Sequence, residues 1–127
     1  MTYRLLLLIL ASVSLSAVAQ LCLKLGVRAA GASGLATGVE GAGRGMAAFL
    51  TSPFVIVGLG LYGFGALLWL YVLARLPLSA AYPFVGLGFV MTMLIGLLAL
   101  GETLSAGRVA GTLLIAVGCI LVARSVG

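Results

Sequence analysis

Four polar side chains stand at steps of four along the first apolar stretch of this chain: Ser12, Ser16, Gln20 and Lys24. On a helix each such step winds by about 40°, so the four share one face. Hydroxyls and a carboxamide can both donate and accept hydrogen bonds, and Lys24 adds a compact positive charge. That combination suits an anionic headgroup. The plainer reading of Lys24 is a snorkelling lysine that ends a span. Polar groups are costly in hydrocarbon and are used where they face a bundle interior, a water-filled cavity or a substrate. The stripe therefore predicts that Lys24 and Gln20, with Ser16 deeper, line a path for a ligand.

The elements that must position these residues follow from composition. Hydrophobic residues make up 64% of the 127 residues and charged residues 7%, with a mean hydropathy of +1.37. This is an integral membrane composition, far from the roughly one quarter charged of soluble domains. At about 20 residues per crossing, the chain holds four spans and no soluble catalytic domain. The net charge of +5 comes from seven basic residues scattered singly at the ends of apolar runs, which points to interface anchoring and not to nucleic acid. Cys22 and Cys119 lie inside apolar segments, with no CxxC and no histidine. Both read as small packing residues, with neither disulfide, metal site nor cofactor expected.

The predicted fold is an all-α bundle, one transmembrane domain over 1–127 with spans at about 4–25, 50–74, 79–101 and 106–124. The start imitates a secretory signal: Arg4, an apolar run, then Ala17-Val18-Ala19. The apolar character continues through Leu25 and three further spans follow, which favours an uncleaved first helix. Residues 28–46 are rich in glycine and predict a flexible connector, with Glu40 and Arg44 as solvated charges. Thr51 or Ser52 followed by Pro53 marks the start of the second helix, and Trp69 and Tyr71 before Arg75 suggest an aromatic belt. In the third span, Pro83 with Gly86 and Gly88 predicts a bend or hinge. Ser105 is an expected N-cap for the fourth helix. Gly111 and Gly118, seven apart, form a small-residue stripe suited to packing against another helix.

Together, Leu76-Pro77-Leu78-Ser79-Ala80-Ala81-Tyr82-Pro83, Leu100-Gly101-Glu102-Thr103-Leu104-Ser105 and Gly111 through Gly118 resemble the drug/metabolite transporter superfamily. Four spans in so short a chain are similar to its small multidrug resistance branch. That resemblance makes Gly86-Leu87-Gly88 the glycine hinge of the third helix and Gly111/Gly118 the motif of a dimerising fourth helix. Drug exporters of that branch carry a glutamate in the first helix, eight residues before a lysine. Here that position is Ser16, and the first two spans contain no acidic residue. Ala19-Gln20-Leu21-Cys22-Leu23-Lys24 and Ala81-Tyr82-Pro83 instead resemble the small subunits of the aminoarabinose-phosphoundecaprenol flippase.

The resemblance implies a flippase of the bacterial inner membrane that moves a polyprenyl-phosphate-linked sugar. Lys24 would meet the phosphate at headgroup depth; Gln20, Ser16 and Tyr82 would bond sugar or phosphate, and Glu102 an amino sugar. An exporter of organic ions built on Glu102 and a non-transporting accessory subunit are the alternatives, and an enzyme is least favoured because no nucleophile, base or metal cluster is visible. Four helices form half of the framework transporters commonly use, so a second chain is expected, in a homodimer or with a homologous small subunit. Arg4, Arg75 and Arg124 on one side nearly balance Arg28, Arg44 and Arg108 on the other, leaving little positive-inside bias.

Overall fold

A computed structural model describes residues 2–31, 46–47 and 49–126. Helix α1 spans Tyr3–Gly31 and α2 spans Pro53–Leu73. The third span is composite: α3 is Leu78–Ala81, a 3-10 turn covers Tyr82–Val85, and α4 is Gly86–Ala99. Helix α5 spans Ala106–Ser125. Four of these segments, with α3 to α4 taken as one, are long and apolar enough to cross a membrane, and no strand occurs among the described residues. This is the expected all-α, multi-pass architecture.

Local signals account for most boundaries. Ser52 precedes α2 in an extended conformation, and Pro53 occupies the first turn, where its missing N–H costs nothing. Ser105 caps α5 by accepting from the Arg108 N–H at 3.3 Å. Gly101 ends α4 in the left-handed region at φ 64°, which glycine adopts without a Cβ penalty. Helix α1 departs from expectation by continuing to Gly31, so Arg28 belongs to its last turn, where a cation favours the helix dipole. The expected connector therefore begins later than residue 28, and its remainder, with Glu40 and Arg44, lies outside the described residues.

Helices α1 and α2 pack closely along a seam of small residues at seven-residue spacing. Gly58 lies against Ala19 and Leu23, with a Cβ there only 3.1 Å from the Ala19 carbonyl; Gly65 lies against Ser12 and Ser16; and Gly26 is covered by Val55. Ser12, Ala19 and Gly26 on α1 thus meet Gly65, Gly58 and Val55 on an antiparallel α2. Lipid offers little hydrophobic driving force between helices, so close backbone approach and interhelical hydrogen bonds take that role. The buried Ser12 hydroxyl donates to the Gly65 carbonyl at 2.8 Å. Ser12, expected on the ligand-facing stripe, is thereby also part of this seam. Gly60 and Gly63 have open space where a Cβ would sit, so only half of the glycines in mid α2 serve close packing.

At the end holding the N-terminus, Ile9, Val13, Val72 and Phe84 form the buried core, with Trp69 packed against it. Trp69 therefore turns inward. Tyr71 keeps the outward place of a belt residue, with the Arg75 guanidinium 5.1 Å from its ring centre.

The third span is irregular where proline and glycine predicted a bend, and α5 is fastened at that point. The Cys119 thiol donates to the Pro83 carbonyl at 2.7 Å, and a Cβ on Gly86 would stand 2.7 Å from Ile115 Cγ2 and 2.8 Å from Cys119 Sγ. Gly88 faces only Val13, at an ordinary 3.6 Å. From propensity alone, alanine should stabilise the helix at both glycines by up to about 1 kcal/mol. At Gly86 the clash reverses that expectation. Gly86→Ala should lower stability by about 1–3 kcal/mol through overpacking, whereas Gly88→Ala should be neutral or slightly stabilising. Thermal unfolding of the two variants in the same detergent separates them.

Candidate functional site

The polar stripe of α1 reaches its most chemically distinctive point at Lys24. Its ammonium pairs with the Glu102 carboxylate, joining the end of the first span to the turn after α4. The contact follows from chain geometry. Helices α1 and α4 run parallel, as shown by Val13 beside Gly88 and Ser14 beside Met91. Lys24 and Glu102 therefore arrive at the same end of the bundle. Gly101 reverses the chain, and the Glu102 N–H donates back to the Gly96 carbonyl at 3.0 Å. Both side chains stay partly exposed, at 46% for Lys24 and 30% for Glu102, so the pair sits at a rim and not in a sealed core.

That rim opens into a cavity of about 750 Å³ between α1, α4 and α5. Gln20, Lys24, Thr92, Glu102, Arg108 and Thr112 supply its polar lining, with Phe89 and Ile115 among its apolar walls. A smaller cavity of about 220 Å³ continues from it towards the bundle centre, bounded by Ser12, Ser16, Tyr62, Trp69 and Gly88. Gln20, Phe89 and Thr92 line both. The spacing of four on α1 thus corresponds to a continuous wall, with Ser16 and Gln20 in the inner cavity and Gln20 and Lys24 in the outer.

The structure gathers some of the expected site residues and separates others. Lys24, Gln20 and Glu102 share the outer cavity; Ser16 lies in the inner one. Tyr82 lines neither and is 57% exposed on the outside of the bundle, so its expected contact with the same ligand is not reproduced within one chain. Pro83 and Gly86 form the junction with α5 described above, and Gly88 borders the inner cavity. Gly111 lines the outer cavity, and a Cβ on Gly111 or on Gly118 would meet nothing among the described residues.

Three polar lining residues, Arg108, Thr112 and Thr92, escaped the sequence reading. Arg108, read there as a lipid-interface anchor, faces the outer cavity with Gly111, Thr112 and Ile115. The signal was present: 108, 111, 112 and 115 share a helical face. Thr92 is harder to find, because its hydroxyl bonds the Gly88 carbonyl at 2.9 Å and resembles any threonine tucked into its own helix. The outer cavity thus presents two cations and one carboxylate, flanked by neutral hydrogen-bonding groups. Such a set can hold a phosphate and an amine on one small polar headgroup, while open apolar helix faces leave room for a lipid tail.

No family model matches the chain, and no solved structure matches it. Named relatives do. It is 37% identical over 84 residues to the probable 4-amino-4-deoxy-L-arabinose-phosphoundecaprenol flippase subunit ArnE of Pseudomonas aeruginosa (strain UCBPP-PA14), covering 66% of this chain and 73% of that one. It is 39% identical over 72 residues to the protein of the same name from Aeromonas hydrophila, covering 57% and 63%. With the namesake from Proteus mirabilis the identity is 37% over 68 residues, covering 54% and 60%. On these similarities, the chain belongs to the family of ArnE-type flippase subunits.

Proposed function

We propose that this protein is a subunit of an inner-membrane flippase for a polyprenyl-phosphate-linked amino sugar, and that the outer cavity holds the headgroup. The observation that carries this reading is the Lys24–Glu102 pair at the rim of a cavity also lined by Arg108 and Gln20. A 4-amino-4-deoxy pentose joined through phosphate to a polyprenol has one anionic phosphodiester and one amine. Lys24 and Arg108 take the phosphate, Glu102 takes the amine, and Gln20, Thr92 and Thr112 take hydroxyls. The polyprenyl tail stays in lipid beside the bundle. Family membership supports the same assignment through the names of the relatives.

An organic-cation exporter is less well supported. Its substrate would need Glu102 as a receptor, yet it brings no anion to take up the Lys24 ammonium that Glu102 now neutralises. A purely accessory role would leave the polar lining of both cavities without a purpose at hydrocarbon depth, where such groups are expensive.

The second chain of the transporter fits on α5. Its Gly111 and Gly118 are uncovered among the described residues, and glycine at such positions lets another helix approach closely. Because Gly111 also borders the outer cavity, a helix laid along this face closes that cavity and contributes to it. A homologous small subunit and a second copy both satisfy this geometry.

Two outcomes test the reading. In proteoliposomes containing the assembled transporter, Lys24→Ala should abolish flipping of the amino-sugar lipid and Gln20→Ala should slow it, with membrane insertion retained; normal rates in both would place the headgroup elsewhere. Gly118→Leu should prevent subunit association in mild detergent, measured by size exclusion with light scattering, and a variant that assembles as the unmodified chain does would move the interface off α5.

A further inference from the structure

The carboxylate of Glu102 is held by more than its ion pair. A Cβ on Gly96 would stand 2.7 Å from Glu102 Oε2 and 3.3 Å from its Cδ, so the carboxylate occupies the space that any other residue at 96 would fill. Its other oxygen, Oε1, accepts from Lys24. The backbone fixes the approach, since Gly101 turns the chain at φ 64° and the Glu102 N–H returns to the Gly96 carbonyl at 3.0 Å. The carboxylate is thus seated between a bare helix surface and the ammonium of α1, at the mouth of the outer cavity.

From this seating we infer that the Lys24–Glu102 pair is a selectivity filter that rejects polyprenyl phosphates lacking an amine, and that Gly96 is the positioning residue that sets it. The inference rests on the headgroup assignment made above. Without ligand, the charge of Lys24 is satisfied by Glu102. A phosphate that recruits Lys24 leaves a carboxylate without its cation, lying over Gly96 beside an incoming anion, and like charges at that range repel. A headgroup carrying both phosphate and amine exchanges one pair for two. Discrimination therefore comes from a built-in repulsive element as much as from attraction. The unloaded carrier lipid, which has the same tail and a phosphate, is the species such a filter excludes.

Gly96→Ala is a suitable probe because the atom it displaces is the free end of a flexible side chain, so the carboxylate moves while the helices keep their places. Affinities are measured for the full chain in nanodiscs with three lipids: undecaprenyl phosphate, the same lipid bearing a neutral pentose, and the same lipid bearing a 4-amino pentose. The unmodified protein should prefer the amino-pentose lipid by about tenfold or more, the scale of one charge-assisted hydrogen bond. Glu102→Gln and Gly96→Ala should each remove that preference, and the double variant should be no less selective than Glu102→Gln alone. Gly60→Ala, where a methyl meets nothing, serves as the control glycine substitution and should keep the preference. Full selectivity in Gly96→Ala, or equal weakening of all three lipids, would overturn the role of Gly96. If the unmodified protein binds all three equally and Lys24→Ala binds none, the filter is wrong and the headgroup site stands. If Lys24→Ala changes no affinity, the headgroup site itself is wrong.

Discussion

A lysine and a glutamate brought together at the edge of an apolar bundle form the constraint from which the rest of this structure is most easily understood. A charge set against an apolar helix surface loses hydration, and at this partly exposed rim each member of the pair gives the other a partner. For them to meet, the first and third spans must run parallel and in register, the third span must end on a glycine that reverses the chain, and the helix surface at Gly96 must be bare. The same placement opens the outer cavity between those spans and the fourth helix. Stability and ligand chemistry therefore draw on the same residues.

The bundle around the pair is held unevenly. Small residues bring α1 and α2 into close contact along most of the shared length, reinforced by the Ser12 to Gly65 hydrogen bond. The fourth helix is attached mainly at Gly86, Pro83 and Cys119, beside the 3-10 turn of the third span. A tightly joined pair of helices thus faces a third that is broken near its start and a fourth fastened at the break. Residues 82–86 are therefore the place where the third span and α5 are joined. Of the residues expected to form a hinge, Pro83 and Gly86 make this junction and Gly88 borders the inner cavity.

Much of this was legible beforehand. Composition alone forces four membrane helices, and the starts at Pro53 and at the Ser105 cap follow from short-range chemistry that operates unchanged in the fold. The stripe from Ser12 to Lys24 was readable because helical periodicity converts spacing into a face. What the sequence could not supply was the pairing of faces. Nothing local says that Lys24 lies against Glu102, seventy-eight positions away, or that Gly96 rather than Gly88 is the glycine that seats it. Arg108 went unrecognised as a cavity residue for the same reason, since an arginine near a span end looks alike whether it faces lipid or a cavity. Tyr82, expected from the resemblance to contact the ligand, stands on the outside of this bundle at the start of the 3-10 turn.

The central claim is that Lys24 and the phosphate of a polyprenyl-phosphate amino sugar meet in the outer cavity. Solid-state NMR can test this directly by dipolar recoupling between the lysine ammonium nitrogen and the lipid phosphorus, in protein labelled with 15N at lysine and saturated with the lipid. Lys24 is the one lysine in the sequence, so the assignment is unambiguous. The account predicts a nitrogen to phosphorus separation of hydrogen-bonded contact, about 3–4 Å, as in charge-assisted ammonium–phosphate pairs. Saturated protein in which lysine shows no dephasing by phosphorus would contradict it.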